Sequence, residues 1–277
     1  MSEMNQLSFQ EIETMVKSVC GEINGTDSFG ASYSSLSQFW DMQLKRNGNI
    51  PGVSNWYTQA YDYWESETNC PATDDGVLGG YGVLTPLDVK DSIKFINKCR
   101  EIRPLLLLKT VADLGAGCGR VSKNLLLPLF EEVHLFEQSQ RLVDEAPAYI
   151  GKPDSDRVVC TAQVLQDFKP EPDTYDVIWI QWVIGHLHDL DFITFFRNAA
   201  RGLKKNGIII LKDNCTESLT FNFDNDDSSV VRAPAYMRLL FHLAGLNIVL
   251  EQVQQDFPEE LCPVHMFALE APPQRPA

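Results

Sequence analysis

The chain has 277 residues and a formal net charge of −15, from 23 Lys+Arg against 38 Asp+Glu. At 44% apolar and 22% charged residues it is not disordered throughout, and so acidic a surface argues against nucleic acid or an anionic membrane as partner while suiting a cationic ligand. Seven cysteines, none spaced Cys-x-x-Cys, suggest neither a disulfide framework nor a zinc site.

Residues 1–54 read as an N-terminal extension, helical in part and otherwise disordered. Ile12, Met15, Val16 and Val19 carry a weak helical period, Cys20–Tyr33 reads as loop, and Lys45–Gly52 is punctuated as a linker. Met1-Ser2-Glu3-Met4 lacks the basic and apolar regions of a signal peptide, and no apolar run is long enough to span a bilayer. With free thiols, this leads us to expect a soluble protein of the cytoplasm or nucleus.

Residues 55–277 form the second unit. Trp56, Ala60 and Trp64 recur at helical spacing, with Tyr57 and Tyr61 beside them. Asp74–Gly82 reads as a flexible glycine loop, and a helix is expected over Thr85–Lys98 with Pro86 in its first turn. Strands then alternate with helices. Strands are expected at Thr110–Leu114, Glu132–Phe136, Val158–Thr161, Tyr175–Gln181 and Ile208–Lys212, the last after a Lys205-Asn206-Gly207 turn. Helices are expected at Arg120–Phe130, Arg141–Ile150, Leu190–Leu203 and Pro234–Ala244, with closing strands at Leu246–Gln254 and Pro263–Leu269. The sum predicts a doubly wound α/β sheet ending in an antiparallel pair.

Between the first strand and its helix stands Asp113-Leu114-Gly115-Ala116-Gly117-Cys118-Gly119-Arg120. Glycines let the backbone approach a ligand, and the helix N-terminus beyond offers unpaired N–H groups. The dinucleotide fingerprint would require a third glycine where Arg120 stands. The run instead resembles the S-adenosylmethionine loop of class I methyltransferases. Glu137, ending the next strand, is placed to accept both ribose hydroxyl protons.

Asp113–Gly119, Leu125–Phe130, Leu165-Gln166-Asp167-Phe168, Tyr175–Leu187 and Lys212-Asp213-Asn214 closely resemble the α-N-terminal protein methyltransferases. Tyr63-Trp64 and Leu78-Gly79-Gly80-Tyr81-Gly82 match that family's N-terminal substrate elements, so the resemblance covers about residues 56–269. It implies a class I, Rossmann-like α/β fold. Its marks are a seven-stranded sheet with an antiparallel last strand, an N-terminal helical extension and substrate-capping helices. It implies S-adenosylmethionine as cofactor, with S-adenosylhomocysteine as product. The implied reaction is methylation of the α-amine of proteins beginning X-Pro-Lys after Met removal, by a monomer with no nucleic-acid partner. By matching motif, Gly115, Gly117, Arg120, Glu137, Leu165, Gln166 and Gln181 would contact the cofactor. Trp64, Leu78, Trp182, His186, Asn214, Asp224, Asp227 and Ser229 would face the peptide, and Cys262 stands where the family often has Tyr.

These residue types suit the chemistry. An α-amine has a pKa of about 7.7–8.0 against about 10.4 for Lys, so a modest base suffices to expose its lone pair. Asp227 and His186 are the two candidates for that base, and Asn214 can aim the amine. Trp64 and Trp182 offer a flat wall for the proline ring, and the acid-rich run Asp224–Ser229 offers charge for the third-position Lys. Two other readings stay open on sequence alone: an inactive module that binds X-Pro-Lys tails, and a small-molecule methyltransferase.

Overall fold

The computed structural model describes residues 7–45 and 55–272. The chain opens with helix α1 (Phe9–Val19), closed at its start by a capping box in which Ser8 and Glu11 satisfy each other's backbone amides. Strands β1 (Asn24–Asp27) and β2 (Ser32–Tyr33) and helix α2 (Leu36–Lys45) follow. The Cys20–Tyr33 stretch is therefore not wholly loop. Its polar strand β1 finds a partner far along the chain, at Thr220–Phe223, a tertiary effect that local composition does not carry. The expected linker, beyond Lys45, lies outside the described residues.

Helices α3 (Asn55–Glu65), α4 (Asp74–Val77) and α5 (Thr85–Ile102) precede the main sheet. The expected glycine loop at Asp74–Gly82 thus begins as a helical turn, in which the Thr73 hydroxyl accepts the Gly76 amide at 3.1 Å. Gly76 is required there, since a Cβ would sit 1.9 Å from the Pro71 carbonyl oxygen.

Strands β3 (Thr110–Leu114), β4 (Glu132–Glu137), β5 (Val158–Ala162), β6 (Tyr175–Gln181) and β7 (Leu203–Asn214) alternate with helices α6 (Gln140–Ile150) and α7 (Asp189–Arg201). The segment after the glycine turn, expected as a regular helix, contains a π-helical turn at Ser122–Leu126. Lys205-Asn206-Gly207 lies within β7 as an irregularity, with Asn206 at φ +70°, rather than ahead of it.

Strands β8 (Thr220–Asp224) and β9 (Ser229–Arg232), helix α8 (Pro234–Ala244), and strands β10 (Asn247–Val253) and β11 (Val264–Glu270) complete the chain. The main sheet runs β10-β11-β7-β6-β3-β4-β5, parallel except for β11, which slots antiparallel between β7 and β10. Central β6 is buried at every position, as helices on both faces require. Phe192, Phe195 and Phe196 of α7 point into that core.

A second sheet, β2-β1-β8-β9, joins the extension to the hairpin β8–β9, whose turn at residues 225–228 is the core of the acid-rich run Asp224–Ser229. Thr220–Asp224 buries Phe221 and Phe223 and exposes Asn222 and Asp224, a period of two that the acids of the turn conceal. The described residues contain no helix long and apolar enough to cross a membrane.

Candidate active site

Two adjoining clefts open at the C-terminal ends of the strands, where ligands bind in open α/β sheets. The inner cleft is partly open to solvent. All seven residues expected at the cofactor line it: Gly115, Gly117, Arg120, Glu137, Leu165, Gln166 and Gln181. Gly115 turns at φ +68°, and a Cβ there would lie 2.4 Å from Val183, so no other residue fits. The Gly117 amide donates to Glu137 Oε2 at 3.0 Å and the Ser139 amide to Oε1 at 3.0 Å. Each oxygen keeps a lone pair for a further donor, as a ribose diol requires. Burial raises the Glu137 carboxyl above its usual range, against the pull of those amides. Beneath the turn, Asp113 accepts the Ser122 hydroxyl at 2.6 Å, and burial pushes its carboxyl up to about 6.

The floor is a buried polar network. Asp88 of α5 accepts Arg120 at 2.7 Å, pairs with the Lys212 ammonium, and receives the Gln181 amide at 2.9 and 3.0 Å. Burial alone would raise the Asp88 carboxyl, but Lys212 and Arg120 outweigh it and hold the group below its usual range. Gln181 also accepts the Trp179 indole at 3.0 Å, so its amide is committed inward although it lines the cleft.

Trp182 divides the two clefts and lines both. Its φ of +52° lies in the left-handed region, a conformation that clusters at functional sites. It is held by its amide to the Lys212 carbonyl at 3.0 Å, by its indole N–H to Asn214 Oδ1 at 3.2 Å, and by the Arg120 guanidinium 5.3 Å from its ring. The Asn214 oxygen keeps its second lone pair.

The outer cleft shares Trp64, Leu78, Trp182 and His186 with the inner one. Asn214, Asp227 and Ser229 line it, together with Cys262. Asp224 does not; it is exposed at the end of β8 and accepts the Asp226 amide at 2.9 Å.

The two candidate bases differ in state. His186 Nδ1 faces the Ser228 carbonyl at 3.1 Å, and Nε2 receives the Trp64 indole N–H at 3.1 Å. A carbonyl only accepts and an indole N–H only donates, so the ring is the neutral Nδ1–H tautomer with its lone pair occupied. Asp227 is the reverse: its Oδ1 is buried with no hydrogen-bond partner among the described residues. Burial raises its carboxyl above the usual range, countered in part by hydrogen bonding from Ser229.

Sequence reasoning missed several residues here. Tyr57 lines the inner cleft and donates to Asp191 at 2.6 Å. Arg141 donates to the carbonyls of Trp64, Glu65 and Cys70 at 3.2, 2.9 and 2.6 Å, fixing the end of α3 that carries Trp64. Asp213 accepts the Ile184 and Asn214 amides at 3.2 and 2.8 Å, and burial pushes it up to about 6. For Asp88 a signal existed: Asp88, Asp91 and Ser92 fall on the same helical face as Phe95, Ile96 and Cys99.

The glycine turn, the strand-end acid and the reversed β11 define a class I S-adenosylmethionine-dependent methyltransferase. The chain belongs to the AdoMet dependent proline di-methyltransferase family, whose sequence profile matches residues 53–270. It is 42% identical over 251 residues to an alpha N-terminal protein methyltransferase 1 of Dictyostelium discoideum, covering 89% of this chain and 91% of the relative. It is 41% identical over 224 residues to the Homo sapiens N-terminal Xaa-Pro-Lys N-methyltransferase 1, covering 79% of this chain and 97% of that one. Among solved structures, a SAM-dependent methyltransferase of Leishmania major superposes with a TM-score of 0.81 at 33% identity, covering 90% of this chain and 96% of its own.

Proposed function

We propose that this enzyme methylates the free α-amine of proteins that begin X-Pro-Lys, with Asp227 as the proton acceptor. The observation that carries the reading is that Asp227 lines the outer cleft and its buried Oδ1 has no hydrogen-bond partner among the described residues. A group left so costs stability unless a ligand completes it, and an ammonium or amine N–H is the donor that fits a carboxylate. Relatives 41–42% identical over most of the chain carry names that specify an N-terminal or Xaa-Pro-Lys substrate.

Glu137, Gly115, Gly117 and Arg120 would hold the cofactor, and the Gly115 cradle and the half-satisfied Glu137 carboxylate fit it. When bound, S-adenosylmethionine supplies an electrophilic methyl group on a sulfonium. The chain's own residues do the rest. Trp64 and Trp182, lining both clefts, form the wall against which a proline ring packs. Asn214 Oδ1 accepts one amine N–H with its free lone pair and so aims the nitrogen. Asp227 takes the proton that the amine sheds, and enclosure raises its basicity for that task. Asp224 and Asp226, exposed on the hairpin, provide charge for the Lys side chain.

The test is methyl transfer to a Ser-Pro-Lys peptide and to its N-acetylated copy. Only the free amine should be modified. Methyl incorporation into the acetylated peptide would make a Lys side chain the target and overturn the reading.

A further inference from the structure

The chain ahead of α3 does something specific in this fold: it completes the sheet that carries Asp227. The β8–β9 hairpin by itself is a two-stranded ribbon, a structure of marginal stability in water. Strand β1 pairs parallel with β8 in the register Asn24↔Thr220 to Asp27↔Phe223, and β2 adds a fourth strand. Gly25 permits the approach, because a Cβ there would lie 2.5 Å from both the Phe221 carbonyl oxygen and its ring. On the hairpin's apolar face, Phe39 of α2 packs at 5.3 Å from Phe221 and 5.2 Å from Phe223. Without these contacts β8 would be an open edge and Phe221 would lose its cover, while Phe223 would keep only Trp56 of α3, 5.3 Å away.

The contacts end two residues short of Asp227. Just past β1, the Ser28 amide donates to the Phe223 carbonyl at 2.9 Å. The Ser28 hydroxyl oxygen then accepts the Asn225 backbone amide at 3.0 Å and the Asn225 side-chain amide at 3.3 Å. Asn225 opens the turn whose third residue is Asp227. Ser28 is itself presented by a tight turn in which Asp27 Oδ1 accepts the Phe29 and Ala31 amides at 3.0 and 2.8 Å. On the turn's other side, Gln59 of α3 donates to the Asn225 carbonyl. At its far end the Ser228 carbonyl accepts from His186. Asp227 thus has an oxygen without a partner among the described residues, on a turn gripped at both ends, and one of the grips belongs to the N-terminal extension.

We infer that Ser28 is a positioning residue for the methyl-transfer reaction, acting through Asn225 to fix where the Asp227 carboxylate stands. The extension is therefore a working part of the catalytic site and not a dispensable leader to the methyltransferase domain. This rests on the reading of Asp227 as the base.

The experiment uses the full chain with Ser28→Ala and Ser28→Thr, alone and combined with Asp227→Asn. Ser28→Ala should lower kcat on a Ser-Pro-Lys peptide by about three- to tenfold, since small misplacements of a catalytic group have rate effects of this order or larger. S-adenosylmethionine affinity by calorimetry should be unchanged, and Ser28→Thr, which keeps the hydroxyl, should restore kcat. In the Asp227→Asn background, Ser28→Ala should have no further effect on kcat, because a residue that acts through the base cannot matter once the base is gone. An equal loss in both backgrounds, or none in either, overturns the inference. Hydrogen–deuterium exchange supplies an arm that needs no substrate. In Ser28→Ala, amides of residues 220–232 should exchange faster while those of β3, β4 and β6 do not, and uniform or unchanged exchange counts against the proposal. If the wild type leaves the peptide unmethylated, the proposed function fails, and the exchange arm still decides whether Ser28 fixes the hairpin.

Discussion

The indole nitrogen of Trp64 donates to Nε2 of His186 at 3.1 Å, and this bond assigns the roles in the outer cleft. It occupies the lone pair that a histidine base would use, while Nδ1 is engaged by Ser228. Two bases sharing one task, as the residue types alone allow, would make the double replacement far worse than either single one. The geometry leads to a different expectation. Asp227→Asn should reduce kcat by about 10²–10⁴-fold, the usual worth of a general base. His186→Asn should cost about tenfold, through lost seating of Trp64 and the turn, as misorientation does. The double variant should be little worse than Asp227→Asn. Steady-state kinetics of the three variants decides it, and a double-mutant loss exceeding the product of the singles would restore the shared base.

Glu137 grips the glycine turn through the Gly117 and Ser139 amides and faces the inner cleft. Glu137→Ala removes both the grip and the acceptor for the ribose hydroxyls. Hydrogen bonds to charged groups are worth about 1.5–3 kcal/mol, so calorimetry should show S-adenosylmethionine binding weakened by about tenfold or more. Equal affinity in the two proteins would remove Glu137 from the cofactor site.

The charge of −15 and the exposed Asp224 and Asp226 predict a screened attraction for the peptide's Lys. Changing that Lys to Gln should raise KM, and the increase should be larger at low salt than at high salt, where the Debye length shrinks to a few ångströms. A KM increase independent of salt would mean that Lys is read by contact alone.

Glu13 of α1 accepts the Ser37 amide at 3.1 Å, the Ser35 hydroxyl at 2.8 Å and Lys17 at 3.1 Å. Burial raises its carboxyl, but these partners prevail and bring it down from 4.5 to about 2. A depressed carboxylate pKa stabilises the fold above the unfolded-state value, and that stability disappears as pH falls through the folded-state value. Glu13→Gln should therefore lower Tm at neutral pH, and the gap from wild type should close as pH is taken from about 4.5 toward about 2. A gap that stays constant with pH would show that the charge of Glu13 plays no part.

The sequence shows most where burial sets a period. Tyr175–Gln181 is apolar on both sides, and Pro234–Ala244 carries its own start and stop signals; both elements have the predicted bounds. Of the seven residues expected at the cofactor, Gly115, Gly117 and Glu137 leave a local signature, glycines at positive φ and a strand-end acid, whereas Arg120, Leu165, Gln166 and Gln181 are pointed to only by the family resemblance. What local pattern cannot carry is partnership at a distance. Nothing near Asn24 announces pairing with Thr220, nothing near Trp64 that it will donate to His186, and nothing near Gln181 that Asp88 will claim its amide. The acids Asp224, Asp226 and Asp227 read alike in sequence, yet only Asp227 lines the outer cleft.

The most direct test of the account is kcat of Asp227→Asn relative to wild type, on a Ser-Pro-Lys peptide, at about pH 7 and about pH 9.5, on either side of the α-amine pKa of about 7.7–8.0. If Asp227 takes the proton, the variant is deeply impaired at the lower pH and recovers in part at the higher one, where water has already deprotonated the amine. Asn214→Ala, which loses the aim and not the base, stays impaired at both. Near-wild-type turnover by Asp227→Asn at neutral pH would contradict the account.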